Sequence, residues 1–265
     1  FVTEYLSEEK IQTKRTMVSI LAMVVGCFSK AVYIPFLTLY WLMPKDKFYS
    51  RRQKNLFKAG IFVLLILMFA SFILPLIGNV TSGAEVGDSR GGDTSQTSQL
   101  SMILGYPLTY TGVLLKSLGT TFASYFIGSK VLANFAYRGI YDGIGYFVVL
   151  LTMLFTFVTD FGMTEKTYDA QMKRKILMMK IWNAVLIFGT ACLVWTALYL
   201  DFTPVGSMVI NGVSPRYYLP LIFPLSLIFI NQKVRCSMKL ENYQSLIAFL
   251  MLIGTGISIY CLMLA

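Results

Sequence analysis

The sequence predicts an all-α fold, that of a polytopic integral membrane protein. Hydrophobic residues make up 56% of the 265-residue chain and charged residues only 14%, whereas a soluble domain carries about 25% charged residues. Apolar runs long enough to cross a bilayer alternate with short basic loops, as the positive-inside rule expects. The formal net charge of +10 therefore reflects membrane topology, and the sequence predicts no nucleic-acid partner.

The composition excludes several classes of catalytic and metal site. The chain has no histidine, which removes His-based zinc sites, Ser-His-Asp triads and imidazole acid–base catalysis. The cysteines are scattered singly, without the Cys-x-x-Cys spacing of a metal knuckle or a redox pair. They are Cys27, Cys192, Cys236 and Cys261. We expect them to be packing residues, and we expect no cofactor, with a divalent cation left open.

The first apolar stretch, residues 16–43, predicts a hairpin of two short helices. Basic segments flank it on both sides, so both flanks belong to the cytoplasmic side and the chain crosses an even number of times. As one helix the stretch would be about 42 Å long, which is too long for a hydrocarbon core of about 30 Å. Ser29-Lys30 interrupts the apolar run, and the turn is predicted there.

Five later apolar segments each predict a single membrane helix. They are residues 59–79, 144–161, 181–200, 217–230 and 246–264. Together with the hairpin they give about seven crossings and put every strongly basic loop on one side. Residues 80–143 are predicted to form an outer loop. Its first part is too polar to bury, and amphipathic helices separated by Pro107 follow.

Arg216 is the centre of the predicted site. A charge in an apolar run costs roughly 2.5–3.5 kcal/mol on insertion scales, so it usually has a function. Ser214-Pro215 before it is a helix-start pattern, and a helix N-terminus beside a guanidinium suits a phosphate or diphosphate. Tyr217 and Tyr218 could bond a sugar or stack against its ring. Alternatively, Arg216 snorkels to lipid phosphates and the tyrosines form an ordinary aromatic belt.

Other polar residues lie at positions that admit two interpretations. Lys30 could neutralise a lipid phosphate in an outward-facing cavity, or it could cap the hairpin at the membrane interface. Gln99, at the border of the polar loop, could bond a sugar hydroxyl or remain solvated. Asp88 and Asp93 could bind a cation, although the glycines and the serine around them favour disorder. No pair of carboxylates has a spacing that identifies an acid–base couple.

Three motifs, in this order, resemble elements of the bacterial membrane proteins grouped as DUF2142, a family of domains of unknown function. Residues 29–35 (SKAVYIP) look like that family's SK-x-x-Y-x-P element. Residues 99–107 (QLSMILGYP) are similar to QL-x-x-IL-x-x-P, and residues 212–220 (GVSPRYYLP) to GV-x-G-RY-x-x-P. The third motif departs from the family, because Ser214-Pro215 stands where a Gln-Gly pair is usual.

The resemblance implies an architecture like that of the GT-C superfamily. These integral-membrane enzymes transfer a sugar from a polyprenyl-phosphate donor at the outer face. In that superfamily a catalytic Asp or Glu lies in the first outer loop, and no position here matches it. The chain begins with Phe1 rather than Met and shows no signal-peptide pattern. We therefore expect it to be the C-terminal part of a longer protein, with the acid upstream of Phe1.

The resulting hypothesis is a GT-C-like glycosyltransferase of the bacterial plasma membrane, surrounded by membrane lipid. It would transfer sugar from a polyprenyl-phosphate-linked donor to an envelope polysaccharide or glycolipid acceptor. Arg216 and Lys30 would bind the lipid phosphate, and Tyr217, Tyr218 and Gln99 the sugar. One alternative is a transporter or flippase of lipid-linked saccharides, which usually shows an internal repeat that this sequence lacks. Another is a non-catalytic subunit of an envelope-glycan complex.

Overall fold

The structure, a computed structural model, is built of helices. It describes residues 1–7, 9–28, 30–81, 94–135, 138–159, 169–230, 234 and 236–264. Every regular element among them is helical, apart from one isolated bridge between Asn134 and Ile140. The predicted all-α fold is therefore confirmed.

The chain divides into two compact units. The first contains Phe1–Leu114 and Tyr168–Gly212, and the second contains Leu115–Thr167 and Val213–Ala265. The α-helices are α1 (Val2–Leu6), α2 (Thr13–Phe28), α3 (Arg51–Thr81), α4 (Gln96–Gly105), α5 (Pro107–Phe126), α6 (Ser129–Leu132), α7 (Ile144–Thr159), α8 (Ala170–Phe202), α9 (Leu219–Ile228) and α10 (Leu240–Leu264). The 3₁₀ helices are Ala31–Leu42, Lys45–Lys47 and Pro215–Tyr218.

The 3₁₀ helix Ala31–Leu42 is the centre of the first unit, and α2, α3 and α8 all pack against it. Fully buried side chains recur at every third residue, namely Ile34, Leu37 and Tyr40. Three residues per turn places such a series on one face of the element. Pro35 lies inside the element and has no N–H to donate, which disfavours a regular α-helix here.

The first unit turns back on itself at Lys30. Helix α2 ends at Phe28, the 3₁₀ helix begins at Ala31, and Ser19 Oγ lies 2.8 Å from Tyr40 Oη. Each arm is about 24 Å long. The second arm differs from the sequence prediction, because it is a 3₁₀ helix rather than an α-helix. That these arms lie in the membrane stays a prediction.

Among the described residues, three helices are long and apolar enough to cross a membrane. They lie at Arg51–Leu74 within α3, at Ala170–Phe202 and at Leu240–Leu264. Helix α7 has 16 residues and α9 has 10, so α9 spans only about 15 Å. The structure thus supports a membrane protein with three candidate spans, and the count of seven crossings stays a prediction.

The long helices begin earlier than the sequence predicted. Helix α3 begins at Arg51 rather than at residue 59, and α8 begins at Ala170 rather than at residue 181. Both extensions carry lysine and arginine, which are good helix formers although they do not enter the hydrocarbon core. The Asp169 side chain also caps α8 by accepting a hydrogen bond from Met172 N at 2.7 Å.

In the second unit, α7 and α10 approach each other very closely. A Cβ atom added at Gly145 would lie 2.3 Å from Ser258 Oγ and 2.5 Å from Gly254 O. A Cβ added at Gly254 would lie 2.8 Å from Val149 Cγ2. Small residues allow two backbones to meet in this way, and this is a common means of helix association in membranes.

Candidate functional site

The residues predicted to form the site are divided between the two units. Lys30 and Gln99 belong to the first unit, and Arg216, Tyr217 and Tyr218 belong to the second.

Arg216 lies in the 3₁₀ turn Pro215–Tyr218 that leads into α9. Pro215 occupies the first position of the turn, where the missing N–H has no intrahelical partner to lose. The Arg216 side chain is exposed, and its guanidinium carbon lies 5.7 Å from the centre of the Tyr217 ring. This cation–π contact restrains the cation while leaving its N–H groups available to an anion.

Tyr218 holds this turn in place by packing. Its side chain is buried, and its ring meets the rings of Phe126 and Tyr125 edge-on, at 4.8 and 5.6 Å between centroids. Burial raises the pKa of the Tyr125 hydroxyl, which therefore stays protonated and donates to Val213 O at 3.2 Å. The Tyr218 ring is covered on these sides, so its contribution in this structure is to position Arg216 and Tyr217.

An apolar cavity of about 370 Å³ lies in the same unit, bordered by α5, α7 and α9. Phe126 both lines the cavity and packs on Tyr218. Leu225, on α9, lines it seven residues beyond Tyr218, or about 10 Å along the helix. A hydrocarbon chain could therefore occupy this cavity while a polar group at its end remains near Arg216.

Gln99 is fully buried in α4, so the interpretation of it as a solvated side chain is wrong. Its Oε1 accepts a hydrogen bond from Gly206 N at 3.2 Å. Its Nε2 lies near the Tyr199 hydroxyl without completing a hydrogen bond in the described structure. Buried amide groups usually have partners, so this donor is an exception.

Gln99 belongs to a polar cluster at the end of α8 that the sequence did not predict. Gln96 Nε2 donates to Asp201 Oδ1 at 2.6 Å, and Tyr199 Oη donates to Ser207 O at 3.0 Å. Gly206, at φ +78, has the left-handed backbone that favours glycine. Gln96 and Gln99 share one helix face because they are three residues apart. In the sequence, only this three-residue spacing indicated that the two glutamines act together.

Lys30 lies at the junction between α2 and the 3₁₀ helix Ala31–Leu42. Its backbone is extended, with φ −159 and ψ 124, and its N–H donates to Cys27 O at 3.0 Å. The side chain is half-buried. The geometry thus fixes the residue at a helix break, and its contact with a lipid phosphate stays a prediction.

Within the described part of the chain, no three His, Cys, Asp or Glu side chains lie close enough together to hold a metal ion. The predicted cation pair, Asp88 and Asp93, lies outside the described residues. The four cysteines are free thiols. A divalent cation therefore stays an untested prediction.

Comparison with known proteins identifies one family. The family model described as "Predicted membrane protein (DUF2142)" matches residues 1–225, which is most of the chain and includes all three sequence motifs. No curated protein and no solved structure matches the chain. The chain therefore belongs to the DUF2142 family of predicted membrane proteins.

Proposed function

We propose that this protein is, or is part of, a GT-C-like membrane glycosyltransferase of the bacterial plasma membrane. It transfers a sugar from a polyprenyl-phosphate donor to an envelope polysaccharide or glycolipid on the outer face. The main support is the position of Arg216, whose guanidinium lies over the Tyr217 ring. Tyr218 in the same turn packs on Phe126, which also lines an apolar cavity. A cation on a turn that packs against one wall of an apolar cavity matches the chemistry of a lipid phosphate.

In this proposal Arg216 binds the donor phosphate. A guanidinium forms strong, directional hydrogen bonds to phosphate oxygens, and the start of α9 adds the positive end of a helix dipole. The acceptor hydroxyl transfers its proton to a base, its oxygen attacks the anomeric carbon, and the bond from that carbon to the phosphate oxygen breaks. Arg216 stabilises the negative charge that develops on the leaving phosphate.

The remaining assignments follow the chemistry of each side chain. Tyr217 is half-buried and would offer a ring face and a hydroxyl to the sugar. Tyr218 would hold the turn in place through its buried ring. In the first unit, Gln99 would offer its Nε2 donor to a sugar hydroxyl and Lys30 its charge to a lipid phosphate. The seven-crossing arrangement, with α7 and the short α9 as two of the crossings, belongs to the same proposal.

The test is binding and turnover of polyprenyl-phosphate sugars by the purified protein in lipid nanodiscs. Arg216→Ala should weaken donor binding roughly 10–100-fold, and Arg216→Lys should restore only part of it because lysine lacks the planar fork. Arg138→Ala is the matched control, since Arg138 is an exposed arginine in the same unit. If wild type binds no such lipid, or if Arg138→Ala weakens binding as much, the proposal fails.

A transporter of lipid-linked saccharides is the second candidate, and the helix break at Lys30 favours it. Extended backbone between two helices at a charged residue is typical of transporter binding sites. Proteoliposomes loaded with a labelled lipid-linked saccharide separate the two functions. Movement of the lipid between leaflets without sugar transfer identifies the transporter, whereas sugar transfer without movement identifies the enzyme.

A further inference from the structure

We propose that the first unit holds one anionic phospholipid on its predicted cytoplasmic side. The phosphate of this lipid occupies a cationic pocket in the loop before α3, and its acyl chains lie in an apolar groove between α2 and α3. This site is separate from the proposed donor site at Arg216, and it does not depend on the glycosyltransferase proposal.

The loop pocket, as we name it, is defined by Lys45, Phe48, Tyr49, Ser50, Arg51 and Lys54. Its volume is about 480 Å³, within the range of ordinary small-ligand sites. Its lining includes three cations and, among the described residues, no carboxylate. The positive end of the α3 dipole points the same way, because Arg51 is the first residue of that helix. The pocket therefore complements a phosphate.

Hydrogen bonds and one ion pair hold the loop that contains Lys45. The neighbouring Lys47 is buried and donates to Ser7 O, to Ser7 Oγ at 2.8 Å and to Glu9 O at 3.1 Å. Lys10 Nζ donates to Asp46 O at 2.6 Å, and Asp46 itself pairs with Lys175 at 2.9 Å. Asp46 and Lys47, the two charged residues that follow Lys45, thus have partners within the first unit, while Lys45 lines the pocket.

The α2–α3 groove has a volume of about 670 Å³ and is almost entirely apolar. It follows α2 from Thr13 to Val24 and α3 from Gln53 to Leu64, which is about 16 Å along each helix. Met17, Leu21 and Leu56 line it although each is more than 60% exposed. Such a surface is covered by hydrocarbon in a membrane.

The two cavities adjoin each other. Phe48 lines both of them, and on α3 the groove residue Gln53 precedes the pocket residue Lys54. The pocket lies at the N-terminal ends of α2 and α3, where the positive-inside rule predicts the cytoplasmic side and its anionic lipids. A cationic pocket continuous with an apolar groove fits a phosphate bearing acyl chains better than it fits a free phosphate.

The experiment compares lipids and variants by native mass spectrometry of the purified full chain in detergent. The lipids are a phosphatidylglycerol and a phosphatidylcholine with the same acyl chains, and glycerol 3-phosphate supplies a soluble phosphate. Wild type should retain the anionic lipid. The triple variant Lys45→Gln/Arg51→Gln/Lys54→Gln should bind it at least about tenfold more weakly. The matched control is Lys14→Gln/Arg15→Gln/Arg52→Gln, which removes the same charge from residues that line neither cavity.

Gly60→Leu provides a second variant that leaves the cations in place. Gly60 lines the groove, and a Cβ added there meets nothing within 4 Å, so a leucine fills the groove without a backbone clash. It should weaken binding of both phospholipids several-fold, whereas Gly26→Leu, a similarly open position on α2 outside the groove, should not. These two results would support the site if, in addition, the pocket variant loses binding of the anionic lipid and its charge-matched control does not.

Three results would overturn the proposal. Equal losses in the pocket variant and in the Lys14/Arg15/Arg52 control would show general attraction to a basic face. Equal retention of the two phospholipids by wild type would exclude charge recognition. Full displacement of the lipid by glycerol 3-phosphate would identify the ligand as a free phosphate.

Discussion

Both units combine positive charge with an apolar cavity, but the surroundings of the charge differ. In the first unit the loop pocket has three cations, and buried Lys47 and the Asp46–Lys175 pair brace its loop. In the second unit a single exposed Arg216 rests on the Tyr217 ring, and the packing of Tyr218 holds its turn. A pocket with several cations suits a lipid that stays bound. A single cation suits a substrate that must bind and leave.

The largest effect is expected from Tyr218→Ala in the second unit. Removing a buried aromatic ring costs about 3–5 kcal/mol of unfolding free energy, because Phe126 and Tyr125 lose the ring between them. Thermal unfolding in detergent measures this. The neighbouring change Tyr217→Ala is the control, and it should leave the melting temperature nearly unchanged while weakening binding of the donor. Equal destabilisation by both variants would show that packing does not distinguish the two tyrosines.

The next effect is expected at the contact between α7 and α10. Gly145→Ala should destabilise the second unit by about 1–3 kcal/mol, because the new methyl group would lie 2.5 Å from Gly254 O. Gly256→Ala, on the same α10, meets nothing within 4 Å and should be neutral or slightly stabilising. Unfolding curves of the two variants make the comparison. Unfolding of Gly145→Ala at the wild-type temperature would contradict a close contact between α7 and α10 at Gly145.

The smallest effect is expected at Asp46, whose side chain is 51% exposed. Burial raises the pKa of this carboxyl, but the hydrogen bond and charge of Lys175, with the neighbouring backbone and Lys47, outweigh burial and hold the pKa below its ordinary value of 3.8. Because the folded pKa is lower than the unfolded pKa, the stabilisation is present above about pH 4. It is lost as the pH falls through the lowered value.

Asp46→Asn should therefore cost only about 0.2–1 kcal/mol at neutral pH, as for other exposed ion pairs. The cost should disappear in strongly acidic buffer. Asp142→Asn is the control, since Asp142 is an exposed aspartate in the second unit. A loss at neutral pH much larger than 1 kcal/mol, or one that persists in acid, would contradict this assignment.

The helices and their breaks could be predicted because proline and charge mark them locally. Lys30 interrupts an apolar run, Pro107 begins α5, and Pro215 begins the Arg216 turn. The 3₁₀ form of Ala31–Leu42 could not be predicted in the same way. Its buried residues recur at every third position, but a run that is apolar on all sides hides that period.

Contacts between distant segments were the other part that the sequence did not predict. Gln99 was predicted either to be solvated or to bind a sugar, yet it is buried against Gly206, more than a hundred residues later. Lys47 was one of several basic loop residues, and only tertiary contacts distinguish it as buried. The loop pocket and the α2–α3 groove likewise require knowing which helix faces lie side by side.

Photo-crosslinking would locate the polyprenyl chain of the donor on the protein. A polyprenyl phosphate with a photoreactive group in its chain is bound to the purified protein, irradiated, and mapped by peptide mass spectrometry. A donor site at Arg216 predicts labelling at residues 122–127 and 225–229, reduced by unlabelled polyprenyl phosphate and by Arg216→Ala but not by Arg138→Ala. Labelling confined to α2 and α3, or labelling that Arg216→Ala leaves unchanged, would contradict a donor site at Arg216.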